Sequence, residues 1–440
     1  MYMGLLTYSI VSVALLPFGS QGKREVAIRP ASAESLNHTS NSSQKSYTGA
    51  VTDRDLYPCA IAADLVTYHR LRHEPIPRFE EDMVQMAYSL HKYAIVKTPD
   101  GGWLLQPGAW NDHNDFAYSN SENTDIKSPK ALPSQATLDA SHFTRWPLWF
   151  TSWAESCLPG SAERKQFDEW RNGLNTQFFH HVVTPPDDSF RLPRLKNFMD
   201  GSNGVYRRFY HGSTDKGYGP YELSGTMFYG WWVFLYTPEA KHLYREIESL
   251  LPVTKTEEET YTRMGADDLQ VRLAAKLNLA RQVIPPQDEA TEDEKAKWEH
   301  GDGKRLQDEI WTGSNAQMVQ YRLMVPLHFA FWNKEEQWQK EFADHFQRFA
   351  AVGPHDEKAN TFDRFHYWYF ATRFICLAES TGHSSLIPAG LPTAIEAELK
   401  QIWNGENPTV SETGWKEPAF SNFETYLKWK VDLAHQRHGG

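Results

Sequence analysis

Apolar residues recur every three or four positions through most of the chain, which is the period of a helix packed on one face. In residues 314–331, for example, Val319, Leu323, Leu327 and Phe331 fall on one side. The pattern predicts helices over residues 59–71, 78–94, 138–157, 162–181, 221–236, 238–251, 266–281, 314–331, 334–351, 361–380, 392–403 and 422–435. Strand patterns are few, and one hairpin is predicted from residues 94–97 and 102–105 across Pro-Asp-Gly.

The predicted helices are of two kinds that alternate along the chain. Helices of the first kind are aromatic and apolar nearly all round, and they cover residues 138–157, 221–236, 314–331 and 361–380. Their neighbours are amphipathic and charged, and they cover residues 162–181, 238–251 and 334–351. An enclosed helix is apolar on all sides, whereas an outer helix keeps a polar face. The alternation predicts an all-α fold, an α/α toroid of six or seven helix pairs, and an α-solenoid is the structural alternative.

The chain begins with a segment unlike the rest. Residues 5–18 form an apolar run that is short for a membrane span and is typical of a signal peptide, although no Lys or Arg precedes it. Ser, Asn, Thr and Lys dominate the stretch that follows. We therefore expect a signal peptide over residues 1–22, a flexible leader over 23–55 and a single catalytic domain over 56–440. This organisation predicts a secreted or periplasmic protein with no membrane span after processing.

Composition narrows the class of partner. Aromatic residues make up 14% of the chain, including 16 Trp, and flat aromatic faces stack well on sugar rings. The net charge of −11 argues against a nucleic-acid partner. Three widely spaced cysteines form no CxxC, and no HExxH, P-loop or GxSxG motif is present. The sequence therefore predicts no cofactor and no metal site, and it leaves the oligomeric state open.

Five polar segments rich in Asn, His, Arg, Tyr and Trp interrupt the helical pattern, over residues 110–118, 139–149, 197–225, 309–322 and 361–369. Functional groups concentrate in loops that a rigid scaffold holds. Between residues 191 and 216 there are six Lys or Arg and two acidic residues, a local charge of +4 in an acidic chain. Such a local excess indicates an anionic ligand.

These segments resemble the α/α-toroid polysaccharide lyases, and family 38 of the alginate and glucuronan lyases in particular. The resemblance rests on WNDHNDFAY, DASHFTRWPLW, NGVYRRFYHGSTDKGYGPYELSG and residues 302–327. It implies a toroid that cleaves an anionic uronate polysaccharide by β-elimination, with Asn, Arg and His around the uronate carboxylate and Tyr as base and acid. In the related family 5 an Arg precedes the catalytic Tyr by two helical turns, whereas residues 311–315 here contain no Arg.

The residue types fit β-elimination, because hydrogen-bond donors must stabilise the anion that forms when the proton next to the carboxylate leaves. The resemblance implies Tyr321 as the base, with Tyr206 as the alternative. We expect the carboxylate to be neutralised by Asn203, His142 and Arg145, and His211 to assist proton transfer. Candidate stacking platforms are Trp110, Trp146 and Tyr218. Further predicted substrate contacts are Asn111, His113, Arg207, Tyr221, Asn315 and His366.

Two other functions remain open from the sequence. A toroid glycoside hydrolase would use two of Asp112, Asp200 and Glu309 as paired carboxylates. A non-catalytic sugar-binding protein would need the aromatic and Arg side chains but no proton-transfer pair.

Overall fold

A computed structural model describes residues 46–121, 134–188, 190–207, 217–250, 361–406 and 420–438. This part of the chain is mainly helical with a few short strands, which confirms the predicted all-α class. Its α-helices are α1 (Asp53–Leu71), α2 (Arg78–Ala94), α3 (Ala140–Phe143), α4 (Trp146–Ser156), α5 (Ala162–Gln177), α6 (Pro238–Ser249), α7 (Thr361–Ser380), α8 (Leu391–Asn404) and α9 (Phe423–His438). Shorter 3-10 turns cover Ser46–Gly49, Asn114–Phe116, Ser224–Tyr229, Trp231–Leu235 and Ser384–Leu386, and a π-helical turn covers Phe178–Val182.

Two small antiparallel ribbons accompany the helices. Strands β1 (Ile95–Lys97) and β2 (Trp103–Leu105) pair with Ile95 opposite Leu105, which confirms the predicted hairpin. Gly101 in the turn has a φ of 92°, a left-handed conformation that suits glycine. Strands β3 (Val183–Thr184) and β4 (Arg194–Leu195) form a second ribbon that the sequence did not predict.

Helix α1 is central and packs against α2, α4 and α7. Almost all of its residues are buried, so its sequence has no polar stripe to mark a solvent face. The Asp55 carboxylate accepts a hydrogen bond of 2.7 Å from the backbone N–H of Thr52 and so fixes the first turn. The helix begins at Asp53 rather than at the predicted Cys59, with Pro58 accommodated inside it.

The predicted leader boundary is also too late, because the packed structure already includes Ser46. The backbone N–H and the hydroxyl of Ser46 each donate to the Asp112 carboxylate, at 2.6 Å. Tyr47, Ala50 and Val51 are buried in the core.

Two of the predicted apolar helices differ from the prediction. Residues 138–157 form two helices, α3 and α4, instead of one. Residues 221–236 contain two 3-10 turns that meet at Gly230, where a φ of 83° reverses the backbone and prevents a continuous α-helix. Helices α4 and α7 are buried nearly all round, and α5 and α6 each bury one face, as the pattern predicted.

An ion-pair group centred on the buried Arg373 joins helices α1, α4 and α7. The Arg373 guanidinium of α7 donates to Asp64 of α1 at 2.7 Å and to Glu155 of α4 at 2.9 Å. Burial raises the pKa of Asp64 to about 6, although the Arg373 charge lowers it. Removal of one partner from such a group leaves an uncompensated buried charge, so these three side chains fix how α1, α4 and α7 meet.

The signal peptide and the helices predicted over residues 266–281, 314–331 and 334–351 lie outside the described residues. Among the helices that are described, none combines the length and the apolar character required to cross a membrane.

We expect acid to destabilise the protein through His91 of α2. Its Nδ1 lies 2.7 Å from the Ala87 carbonyl, and its Nε2 accepts from the Trp146 indole at 3.2 Å. Burial lowers the pKa of His91 from 6.5 to about 4, although the hydrogen bond to Ala87 opposes this. Since the unfolded chain binds the proton more readily, stability is lost as the pH falls from about 6.5 to about 4, by about 3 kcal/mol.

Urea unfolding at a series of pH values measures this loss. The His91→Gln variant should show a shallower decline than the wild type over the same window, whereas the exposed control His180→Gln should match the wild type. Equal slopes for His91→Gln and the wild type would contradict the assignment.

Candidate functional site

Three of the five polar segments meet in the described structure. Their contact centres on Asp115, Asp139, His142, Tyr206 and Arg207, here called the His142 cluster. Asp115 belongs to the first segment, Asp139 and His142 to the second, and Tyr206 and Arg207 to the third. Except for the partly buried Asp115, these residues are at most 7% exposed.

The short helix α3 begins at the Asp139 carboxylate. One oxygen accepts from the backbone N–H groups of Ser141 and His142, each at 3.1 Å, and from the Ser141 hydroxyl. Asp139 also forms an antiparallel bridge with Phe198, and the Ala140 N–H donates to the Asn197 carbonyl at 2.9 Å. The N-cap of α3 thereby holds the second polar segment against the third.

The other Asp139 oxygen holds the imidazole of His142. It lies 2.6 Å from His142 Nδ1, a distance typical of a charge-assisted hydrogen bond. Burial raises the pKa of Asp139, but the His142 charge, the hydrogen bonds from His142 and Ser141, and the Arg207 charge outweigh it and keep that pKa well below its usual range. With Nδ1 donating to a carboxylate, the imidazole carries its basic nitrogen at Nε2 on the opposite edge.

Tyr206 and Arg207 form the second half of the cluster. The Tyr206 ring meets the His142 ring edge to face, with centroids 6.4 Å apart. Arg207 donates from Nε to the Tyr206 hydroxyl at 2.9 Å, and the same nitrogen lies 3.5 Å from the Asp115 carboxylate. Burial raises the pKa of Tyr206 well above 10, and Arg207 only partly offsets this, so the phenol is neutral in this arrangement.

The backbone of Arg207 is strained. Its φ is 55°, in the left-handed region that side chains other than glycine seldom adopt. Its backbone N–H donates to the Asp115 carbonyl at 2.9 Å. Strain of this kind persists where the surroundings hold it and is common at functional sites.

The side chains of Asn197 and Asn203 fix the backbone of the third segment through hydrogen bonds. The Asn197 amide donates to the carbonyls of Gly204 and Gly219, at 3.0 and 2.8 Å. Asn203 accepts through its side-chain oxygen from the backbone N–H groups of Asn197 and Tyr221, each at 3.1 Å. The sequence predicted Asn203 as a carboxylate ligand; the structure gives its oxygen a positioning role and adds Asn197, which we had not singled out.

Arg145 lies in the protein core next to the cluster rather than at the surface. It is fully buried, and its guanidinium donates to the Tyr57 hydroxyl at 2.9 Å and to the His142 carbonyl at 3.1 Å. Its charge is paired with Asp53 at 3.2 Å. The predicted contact between Arg145 and a substrate carboxylate is therefore not supported, because this charge is compensated within the core. His366 is also buried, with its ring centroid 4.6 Å from that of Tyr57.

The predicted stacking platforms separate into two groups. Trp146 is wholly buried against Phe143 and offers no face to a sugar. Trp110 is 8% exposed and stacks on Phe116. Tyr218 is half-buried, and its ring stacks on that of Tyr206 with centroids 6.2 Å apart, so it lies beside the cluster.

The other predicted contacts are partly exposed and locally engaged. The Asn111 side chain donates to the Ser134 carbonyl at 3.0 Å. His113 accepts from the Asp115 N–H at 3.2 Å. The Arg194 guanidinium lies 4.6 Å from the centre of the Tyr221 ring.

Two of the three carboxylates considered for hydrolysis have local structural roles. Asp112 binds Ser46, and Asp200 accepts from the hydroxyl of Ser202 at 2.6 Å. Tyr321, His211, Asn315 and Glu309 lie outside the described residues.

Comparison of the chain with protein-family models, with curated proteins and with solved structures found no match. The assignment of function therefore depends on the chemistry of the His142 cluster itself.

We expect Asp139 to set the tautomer of His142. In Asp139→Asn, an amide nitrogen facing Nδ1 would donate rather than accept, so the neutral imidazole should move its proton to Nε2. Nitrogen NMR of the His142 ring, at a pH where the ring is neutral, measures the position of the proton. Ser141→Ala is the control, because it removes a hydroxyl from the other Asp139 oxygen and should leave the proton on Nδ1. An unchanged tautomer in Asp139→Asn would contradict this role.

Proposed function

We propose that this protein is a polysaccharide lyase that cleaves a uronate-containing anionic polysaccharide, such as alginate or glucuronan, by β-elimination. We further propose that the helices complete an α/α toroid and that the chain is exported. The observation that carries the proposal is the Asp139–His142 pair beside Tyr206 and Arg207. It supplies an oriented base next to hydrogen-bond donors.

His142 fits the role of the proton acceptor. Its Nδ1 is held by a buried carboxylate, which orients the ring and stabilises the charge that the imidazole gains with a proton. The ring retains 7% exposure, so it lies at the edge of the core rather than inside it. Nε2 would take the proton on C5 of the uronate.

The bond changes balance without a cofactor. As the proton leaves C5, its electron pair forms the C4–C5 double bond, and the bond from C4 to the glycosidic oxygen breaks. That oxygen takes a proton from an acid and becomes the new hydroxyl end. Negative charge grows on the uronate carboxylate during this step, so fixed positive charge and N–H donors lower the barrier.

The roles of the two tyrosines differ in this scheme. Tyr206 is buried, and burial raises its pKa well above 10, so it suits a neutral donor or a positioning residue better than a base. Tyr321, which the resemblance implies as the base, is in this scheme the acid that protonates the leaving oxygen, and it remains the alternative base.

The local excess of Lys and Arg over residues 191–216 supports an anionic substrate. Within the His142 cluster, Arg207 is balanced by Asp115 and a protonated His142 by Asp139. Neutralisation of a uronate therefore draws on the basic stretch over residues 191–216, which contains Tyr206 and Arg207, and within it on Lys and Arg side chains other than Arg207 and the Asp187-paired Arg194. The half-buried face of Tyr218 supplies an apolar surface for a sugar ring.

The hydrolase alternative is weaker, because Asp112 and Asp200 serve local structure. A buried carboxylate bound to an imidazole is better suited to orient a base than to act as one of two opposed carboxylates.

Near-ultraviolet absorbance tests the proposal, because the C4–C5 double bond of the product is conjugated to the carboxylate. With alginate and glucuronan offered separately, one uronan should give rising absorbance, and a neutral polysaccharide should not. His142→Gln should lower kcat by about 10²–10⁴-fold, the usual contribution of a general base. The surface control His180→Gln should keep wild-type activity.

A flat trace accompanied by new reducing ends would favour the hydrolase, and binding without any product would favour the sugar-binding protein. If Tyr321→Phe loses turnover while His142→Gln keeps it, Tyr321 is the base and the role proposed for His142 is wrong.

A further inference from the structure

Three helices bring together one imidazole and two carboxylates far from the His142 cluster. His69 lies in the last turn of α1, Glu80 in the first turn of α2, and Glu396 in α8. One ligand atom from each side chain lies within 4.8 Å of the other two. Tyr57 of α1 accepts a hydrogen bond from Arg145, which also binds the His142 carbonyl. His69 comes twelve residues after Tyr57 on α1, which is about 18 Å along the helix axis. This group is therefore separate from the site proposed for catalysis.

The spacing is too wide for hydrogen bonds and suits a bound ion. His69 Nε2 lies 3.8 Å from a Glu80 oxygen and 3.7 Å from a Glu396 oxygen. Hydrogen bonds between such atoms are shorter, at about 2.7–3.2 Å. Ligands of a tetrahedral ion with bonds of about 2.0–2.1 Å lie about 3.3 Å apart, so a closure of about 0.5 Å brings His69 Nε2 to this spacing from each carboxylate oxygen.

The buried Glu80 carboxylate lacks hydrogen-bond partners among the described residues. Its side chain is fully buried, and neither carboxylate oxygen has a hydrogen-bond partner in the part of the chain that the structure describes. The same holds for Nε2 of His69. Burial, with the Glu396 and Glu81 charges added to it, raises the pKa of Glu80 to about 9.

The surroundings of His69 are those of a metal ligand. Its other ring nitrogen, Nδ1, lies 3.3 Å from the Glu74 carboxylate, which favours the tautomer with a lone pair on Nε2. A carboxylate in this position is the common outer partner of a metal-binding histidine. Arg72 pairs with Glu74 at 2.7 Å. Among the described side chains, the ion pairs of Glu80 and Glu396 are with His69.

We propose that His69, Glu80 and Glu396 bind one divalent transition-metal ion, with Zn²⁺ as the best match. One imidazole and two carboxylates leave a fourth position for water. The ion ties α8 to the junction of α1 and α2. Its binding does not depend on the proposed lyase activity.

Isothermal titration of the full chain with ZnCl₂, after treatment with a chelator, tests the proposal. We expect one equivalent of Zn²⁺ to bind and the Tm to rise with the concentration of free Zn²⁺. Glu80→Gln and Glu396→Gln should each weaken binding by at least about 10–100-fold, the loss typical even of outer-partner changes. Glu81→Gln is the matched control, because Glu81 is exposed beside Glu80 and should keep wild-type affinity.

Cobalt gives an independent readout. Co²⁺ in the stripped protein should produce visible absorption bands of a low-coordinate site, and Glu80→Gln should lose them. Glu396 is partly exposed, so Glu396→Gln tests the site without disturbing the core. Equal Zn²⁺ affinity for the wild type, Glu80→Gln and Glu396→Gln, or no binding by the folded wild type, would overturn the proposal.

Discussion

The Asp139 carboxylate is completely buried, and a buried carboxylate requires partners for both of its oxygens. One oxygen takes the N–H groups that open α3, and the other takes the imidazole of His142. These partners fix the helix start, the ring orientation and the approach of the third polar segment at once. The bridge from Asp139 to Phe198 then places Tyr206 and Arg207 beside the ring. The candidate chemistry thus depends on how one buried charge is satisfied.

Buried ion pairs also link this site to the helical core. Arg145, one turn after His142, donates a hydrogen bond to the His142 carbonyl and is paired with Asp53 at the start of α1. Further along α1, Asp64 pairs with Arg373 of α7. Arg145 and Arg373 each join two or more helices, and the His142 cluster is therefore supported by rigid helices rather than by loops alone.

The sequence predicts the elements that depend on the local order of residues along the chain. Helix α2 begins and ends where its amphipathic pattern begins and ends, and the β1–β2 hairpin follows from Pro-Asp-Gly. Residues 221–236 have the composition of a buried helix, but the left-handed Gly230 breaks them into 3-10 turns. A glycine within an apolar run does not reveal its φ in advance.

The sequence predicts several of the residues that lie in the site, but it predicts less well what each of them does there. His142 and Tyr206 are both predicted site residues, but they are more than sixty positions apart in the sequence, and no local pattern encodes their contact. Arg145 is a predicted contact of the substrate carboxylate, and the fold uses it as a core ion-pair partner instead. His69, Glu80 and Glu396 match no metal motif, because three helices supply one ligand each.

Mass spectrometry of the fragments that the wild-type protein releases from a uronan tests the central claim most directly. β-Elimination leaves an unsaturated uronate at the non-reducing end, so each such fragment should be lighter by one water than the matching hydrolysis product. Unsaturated ends that disappear in His142→Gln are the result predicted here. Saturated ends, or unsaturated ends that form equally well without His142, would contradict the account.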